Sequence, residues 1–189
     1  CTPEGATGVL PGVILIHGGG WVMGDKSNFA ATCSFLAAHG FVAASIDYRL
    51  APANIWPAQL IDVQLAVRWL RAHAAQIHLD PQRLCSWGSS AGGHLAVFLG
   101  VLSTIHSGDE AGLYADQSPH VTCVVDDFGP TNLTITDPTP GMIKAFNALF
   151  GGATLQSDPA IYHDASPLFA VSSQSAPTLI IHGTNDMTV

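Results

Sequence analysis

The chain has 189 residues, 48% hydrophobic and 11% charged, with a formal net charge of −8. That is long and apolar enough for one folded domain with a real core, and it excludes a disordered chain. Lys and Arg number only six and form no cluster, which argues against nucleic acid or anionic membranes as partners. No apolar run reaches the roughly 18–20 residues of a membrane span.

In chain order, short apolar runs alternate with longer helical stretches. Gly12 to His17, with Val13-Ile14-Leu15-Ile16 inside, reads as a strand buried on both faces. Asn28 to His39 reads as a helix stopped by Gly40. Phe41 to Asp47 is the next strand. Pro57 to Ile77 has apolar residues at helical spacing, with Gln64, Arg68 and Arg71 on the other side. Asp80-Pro81 marks a turn before a strand from Arg83 to Trp87. A helix follows from Ala91 to about Ser103, and Val121 to Asp126 is another strand. Residues 130–165 are rich in Pro, Gly, Thr and Asp and read as loops with one or two short helices. Thr178 to His182 is the last strand. The alternation predicts an α/β class, with a mostly parallel central sheet and helices on both faces. A single domain over 1–189 is expected, with 130–165 as a small cap-like insert.

The four cysteines, Cys1, Cys33, Cys85 and Cys123, have no zinc-type spacing. Cys85 and Cys123 lie in apolar runs and are expected to be small buried hydrophobes rather than a disulfide pair. Asn132-Leu133-Thr134 fits a glycosylation sequon, a pattern too short to carry weight.

Three groups of residues point to chemistry. Gly88-Ser89-Ser90-Ala91-Gly92 falls between a predicted strand and a predicted helix. A serine hydroxyl is a poor nucleophile unless it is exposed and has a base and an anion hole nearby. A glycine-flanked strand–helix turn supplies that exposure and places the serine beside the N-terminal amides of the helix. Gly18-Gly19-Gly20 follows the first strand, where glycines let backbone N–H groups approach a developing oxyanion. The run has no Gly-Lys-Ser/Thr and fits no Gly-x-Gly-x-x-Gly, so a nucleotide loop is a poor reading. Asp186 comes four residues after the last strand, where a carboxylate could orient a histidine.

His17-Gly18-Gly19-Gly20-Trp21, Asp47-Tyr48-Arg49-Leu50-Ala51-Pro52, Gly88-Ser89-Ser90-Ala91-Gly92-Gly93-His94 and His182-Gly183-Thr184-Asn185-Asp186 occur in that order. Together they resemble α/β-hydrolases of the carboxylesterase type, near the hormone-sensitive-lipase-like and bifunctional feruloyl/acetyl-xylan esterase groups. The resemblance runs from about Pro11 to Val189 and is specific to fold and superfamily, not to substrate. It implies Ser90 as nucleophile and Asp186 as triad acid, with Gly18, Gly19 and Ala91 forming the oxyanion hole. It casts Asp47, Tyr48 and Arg49 as a brace below the site. His17 and Trp21 would shape the loop rather than do chemistry, with Trp21 bordering bound substrate.

The departures from the family are equally specific. Its base histidine lies on a later loop, some tens of residues past the acid, and no histidine follows Asp186 here. The first two strands and the last strand and helix of the fold are also not found. An interior piece of a larger hydrolase is therefore expected, with exposed sheet edges that would favour a homo-oligomer. His94, His163 and His182 are expected to be structural. His39, His73, His78, His106 and His120 show no metal-like pairing, and neither metal nor cofactor is expected.

The expected function is a serine carboxylester hydrolase working through an acyl-enzyme. Its substrates would be short-chain acyl or aryl esters, with acetylated or feruloylated sugars among them. An arylformamidase or peptidase on the same fold stays open, as does an inactive fragment or pseudo-enzyme. Compartment is not indicated.

Overall fold

A computed structural model of the chain describes residues 1–106 and 112–188; the expected 1–189 domain thus includes residues 107–111 and Val189, which lie outside the described set. Five strands form one parallel sheet in the order β2-β1-β3-β4-β5. They are β1 (Leu10–Ile16), β2 (Val42–Ile46), β3 (Leu79–Ser89), β4 (Cys123–Asp127) and β5 (Thr178–Ile181). The helices are α1 (Ala30–Ala38), α2 (Ala58–Ala72), α3 (Ala91–Val101), α4 (Pro140–Leu149) and α5 (Pro159–Asp164). The α/β class and parallel sheet read from the sequence are what the chain adopts.

Alternation along β1 splits the core in two, since successive side chains of a strand face opposite ways. Ile14 and Ile16 join Leu84 and Val124 against Leu60, Val63 and Val67 of α2 and Leu95, Phe98 and Leu99 of α3. Val13 and Leu15 turn the other way, with Ala43 and Cys33, beneath Phe29, Leu36 and Trp87. Leu133, Phe146, Leu149, Phe150, Tyr162 and Ala165 extend the first cluster, so residues 130–165 share the main core. Among the described residues, no helix is long and apolar enough to cross a membrane.

Two expectations are corrected. The turn at Asp80-Pro81 lies inside β3, not before it. Leu10 pairs with Leu79 but Gly12 pairs with Leu84, so β3 carries three surplus residues there. Asp80 secures the bulge, accepting from the Gln82 N–H at 3.0 Å and pairing with Arg83 at 2.7 Å.

On the polar side of α2, Gln64 and Arg68 are buried. Gln64 donates to the Thr104 carbonyl (3.0 Å) and accepts from the His106 N–H (2.7 Å). Arg68 and Arg71 donate to the carbonyls of Leu113 and Ser118. This face of α2 thus pairs with backbone groups of the segment that follows α3.

Finally, Cys85 and Cys123 form a disulfide, as do Cys1 and Cys33. Cys85 and Cys123 stand directly opposite on neighbouring strands, with Cα atoms 4.6 Å apart. Both cysteines are half-buried, and the register that brings them together is not visible in either run.

Candidate active site

All five strands are parallel, so their carboxyl ends share one edge. At that edge the register aligns Ser89 with Asp127 and Asp127 with Ile181. Ser90 is the next residue. It adopts φ 53° and ψ −123°, a region that side-chain-bearing residues avoid and that costs on the order of 1–3 kcal/mol. Its backbone N–H donates to the Asp127 carbonyl (2.8 Å), and its carbonyl accepts from the His94 N–H (3.0 Å). These bonds hold the strained residue between the end of β4 and the first turn of α3.

The flanking glycines permit close approach. A Cβ on Gly88 would lie 2.1 Å from the Gly92 carbonyl oxygen, and one on Gly92 would lie 2.0 Å from that of Ile16. The turn therefore closes against β1 only with both residues bare. A Cβ on Gly18 would sit 2.8 Å from the Ser89 carbonyl oxygen and 3.3 Å from the Ser90 Cβ, so the glycine loop runs directly against the serine. Gly19 has φ +112°. Among the described residues, the N–H groups of Gly18, Gly19 and Ala91 have no protein hydrogen-bond partner.

A network behind the loop fixes its shape. Tyr48 stacks on His17, with centroids 4.3 Å apart and planes 12° apart, and donates to the His17 carbonyl at 3.0 Å. Burial pushes the Tyr48 hydroxyl pKa well above its usual value, so the donor keeps its proton. Asp47 pairs with Lys26 and Arg49 with Asp62, both at 2.7 Å. Trp21, at φ 62°, is buried; its indole turns inward and donates to His94 Nδ1 at 3.2 Å.

Asp186 lies past β5. One carboxylate oxygen accepts from the Thr188 N–H (2.7 Å) and the other is 3.4 Å from His182 Nε2. The other histidines are placed clearly. His94 is fully buried, and its Nε2 donates to the Ala165 carbonyl (2.8 Å); burial lowers its pKa to about 4. His163 stacks on Phe169 at 4.1 Å. Among the described residues, no histidine hydrogen-bonds to the Ser90 hydroxyl, and no cluster of three His, Cys, Asp or Glu could hold a metal ion.

One group escaped the sequence reading. Asp126 is buried at the end of β4 and accepts from the Gly129 N–H (2.8 Å). Burial lifts its pKa to about 6. A carboxylate ending the apolar run Cys123-Val124-Val125 was the available signal. Trp87 likewise donates to Asp127 (2.7 Å) on the opposite sheet face.

A parallel sheet, a strained serine at a strand–helix turn and a glycine loop pressed against it define an α/β-hydrolase. The chain belongs to the BD-FAE family, whose model matches residues 1–189. It is 32% identical over 182 residues to the esterase LipC of Mycobacterium tuberculosis, which covers 95% of this chain and 45% of LipC. The chain thus spans about half the length of the curated relatives it matches. Among solved structures, a truncated carbohydrate esterase from gut microbiota superposes with a TM-score of 0.86 at 31% identity, over 100% of this chain and 71% of that one. Esterase 2 of Thermogutta terrifontis, phosphonylated by sarin, does so with a TM-score of 0.84 at 25% identity, over 100% and 68%.

Proposed function

We propose that this chain carries the nucleophile, anion hole and acid of a serine carboxylesterase. The observation that carries the reading is Ser90, held at φ 53° with Gly18 against its side chain. That is the strain and exposure a serine nucleophile requires. Ser90 Oγ attacks the ester carbonyl carbon and passes its proton to an imidazole. The oxyanion is held by the N–H groups of Gly18, Gly19 and Ala91, which have no other hydrogen-bond partner among the described residues. Donors fixed in advance stabilise developing charge without reorganising. The intermediate collapses, the carbonyl–alkoxy bond breaks, and the imidazolium protonates the departing alcohol. Water then attacks the acyl-enzyme, freeing the carboxylic acid and restoring Ser90.

Asp186 orients that imidazole. Strands lie about 4.8 Å apart, so the ends of β3 and β5 are separated by roughly 10 Å across β4. A histidine hydrogen-bonded at both ring nitrogens fits such a span. No described histidine hydrogen-bonds to the Ser90 hydroxyl, and the base is assigned to a histidine outside the described residues. Residues 130–165 act as a small cap over the strand ends. Between the two lies a cleft of about 260 Å³, lined by Asp126, Asn132, Ile135, Met142, Ile180 and His182 among others. Similarity to a carbohydrate esterase supports acetylated or feruloylated sugars.

The test is turnover of p-nitrophenyl acetate, acetylated xylan and methyl ferulate by the natural protein and its Ser90→Ala variant. Loss of at least about 10³-fold with Ser90→Ala is expected. Turnover that survives the substitution would end the esterase reading.

A further inference from the structure

The three proposed anion-hole donors come from two separate pieces of chain. Gly18 and Gly19 belong to the loop after β1; Ala91 opens α3. A tetrahedral oxyanion needs all three aimed at one point, and a misplacement of about 1 Å can cost ~10²-fold in rate. Something must hold the loop to the helix.

His94 lies one turn past Ser90 on α3 and is fully buried. Both ring nitrogens are used. Nδ1 meets the Trp21 indole N–H (3.2 Å) and Nε2 meets the Ala165 carbonyl (2.8 Å). An indole can only donate and a carbonyl can only accept, so the imidazole is neutral with its proton on Nε2. Trp21 and Phe98 meet the ring edge-on at 5.1 Å, and Trp56 lies 5.7 Å away. Trp21 follows the glycine run directly, and its carbonyl accepts from the Ala51 N–H (2.9 Å). The imidazole therefore joins three segments: the anion-hole loop, the nucleophile's helix, and the end of residues 130–165.

We propose that His94 is a positioning residue that, through the Trp21 indole, holds the Gly18 and Gly19 donors in line with that of Ala91. It touches no reacting atom. An apolar ring of similar size would fill the space but leave the indole N–H and the Ala165 carbonyl unpaired, and the loop free to shift. The proposal rests on the esterase reading above.

The test compares natural full-length protein carrying Trp21→Phe, His94→Phe, both together, and His94→Gln, with Ser90→Ala as control. Trp21→Phe removes the loop-to-helix hydrogen bond while keeping an aromatic ring at the position. It is expected to lower kcat on aryl acetates about 10–100-fold, with KM within two-fold. His94→Phe should lose at least as much. The double variant should lose no more than His94→Phe alone, because both changes break one link. His94→Gln, whose amide can accept and donate, should recover most of the rate. Losses that multiply in the double variant, a rise in KM at unchanged kcat, or full activity of Trp21→Phe would each overturn the proposal. Should wild-type turnover persist in Ser90→Ala, the esterase reading itself fails and the proposal falls with it.

Discussion

At Ser90 the backbone is bent for the sake of one oxygen atom. Its φ of 53° penalises any side chain, so removing the Cβ relieves strain on the order of 1–3 kcal/mol, against roughly 0.5–1 kcal/mol of added chain entropy for glycine. Ser90→Gly is therefore expected to melt no lower than Ser90→Ala, while both lose the proposed activity; a distinctly lower melting temperature for Ser90→Gly in parallel thermal scans would refute the strain argument. The place of Ser90 at a strand–helix turn was legible from its glycines, because their requirement is local. The inward turn of Trp21 was not. It depends on His94, 73 residues away, and neither residue announces the other. Asp126 was hidden for a related reason: what makes its carboxyl unusual is the packing of Gly93 and Gly129 around it.

Among the elements, strand and helix positions follow closely from periodicity, and what fails is partnership. Residues 57–77 gave the helix but not the segment that covers its polar side. Cys85 and Cys123 gave two apolar strands but not their shared register. The two disulfides close loops with sequence separations of 32 and 38 residues. In the chain-entropy account each contributes about 3–4 kcal/mol by restricting the unfolded state. The unreduced, denatured chain should therefore show no reactive thiol, and reduction should lower the melting temperature by several degrees. Labelling of all four cysteines without reductant would remove both bonds from the account.

For the molecule as a whole, two buried groups pull the pH dependence of stability in opposite directions. Burial holds His94 at about 4, below its ordinary 6.5. Between those values the unfolded chain takes a proton that the folded chain refuses, so stability falls as pH drops. Burial lifts Asp126 from 3.8 to about 6. In that window the folded chain keeps a proton that the unfolded chain gives up, so stability rises as pH drops. The windows nearly coincide and each effect is worth roughly 3 kcal/mol, so the two largely cancel. Asp126→Asn keeps an oxygen for the Gly129 N–H and removes one arm. Its melting temperature should fall more steeply than that of wild type between pH 6.5 and 4.5; parallel curves would show that Asp126 titrates as an ordinary carboxylate.

The surplus residues of β3 also bear on the whole molecule. The strand enters at Leu79 and delivers Ser90 at its far end, yet β1 advances two residues while β3 advances five. Leu79 and Leu84, five apart, are nonetheless both buried in the same cluster, because the odd excess restores their phase. Gln82 and Arg83 carry the excess at the surface, and Arg71 fastens it through the Pro81 carbonyl at 3.1 Å. The bulge works as an expansion joint. Changes in length between α2 and β3 can be taken up there, while the strand beyond it stays keyed to β1 and carries the nucleophile to the same place.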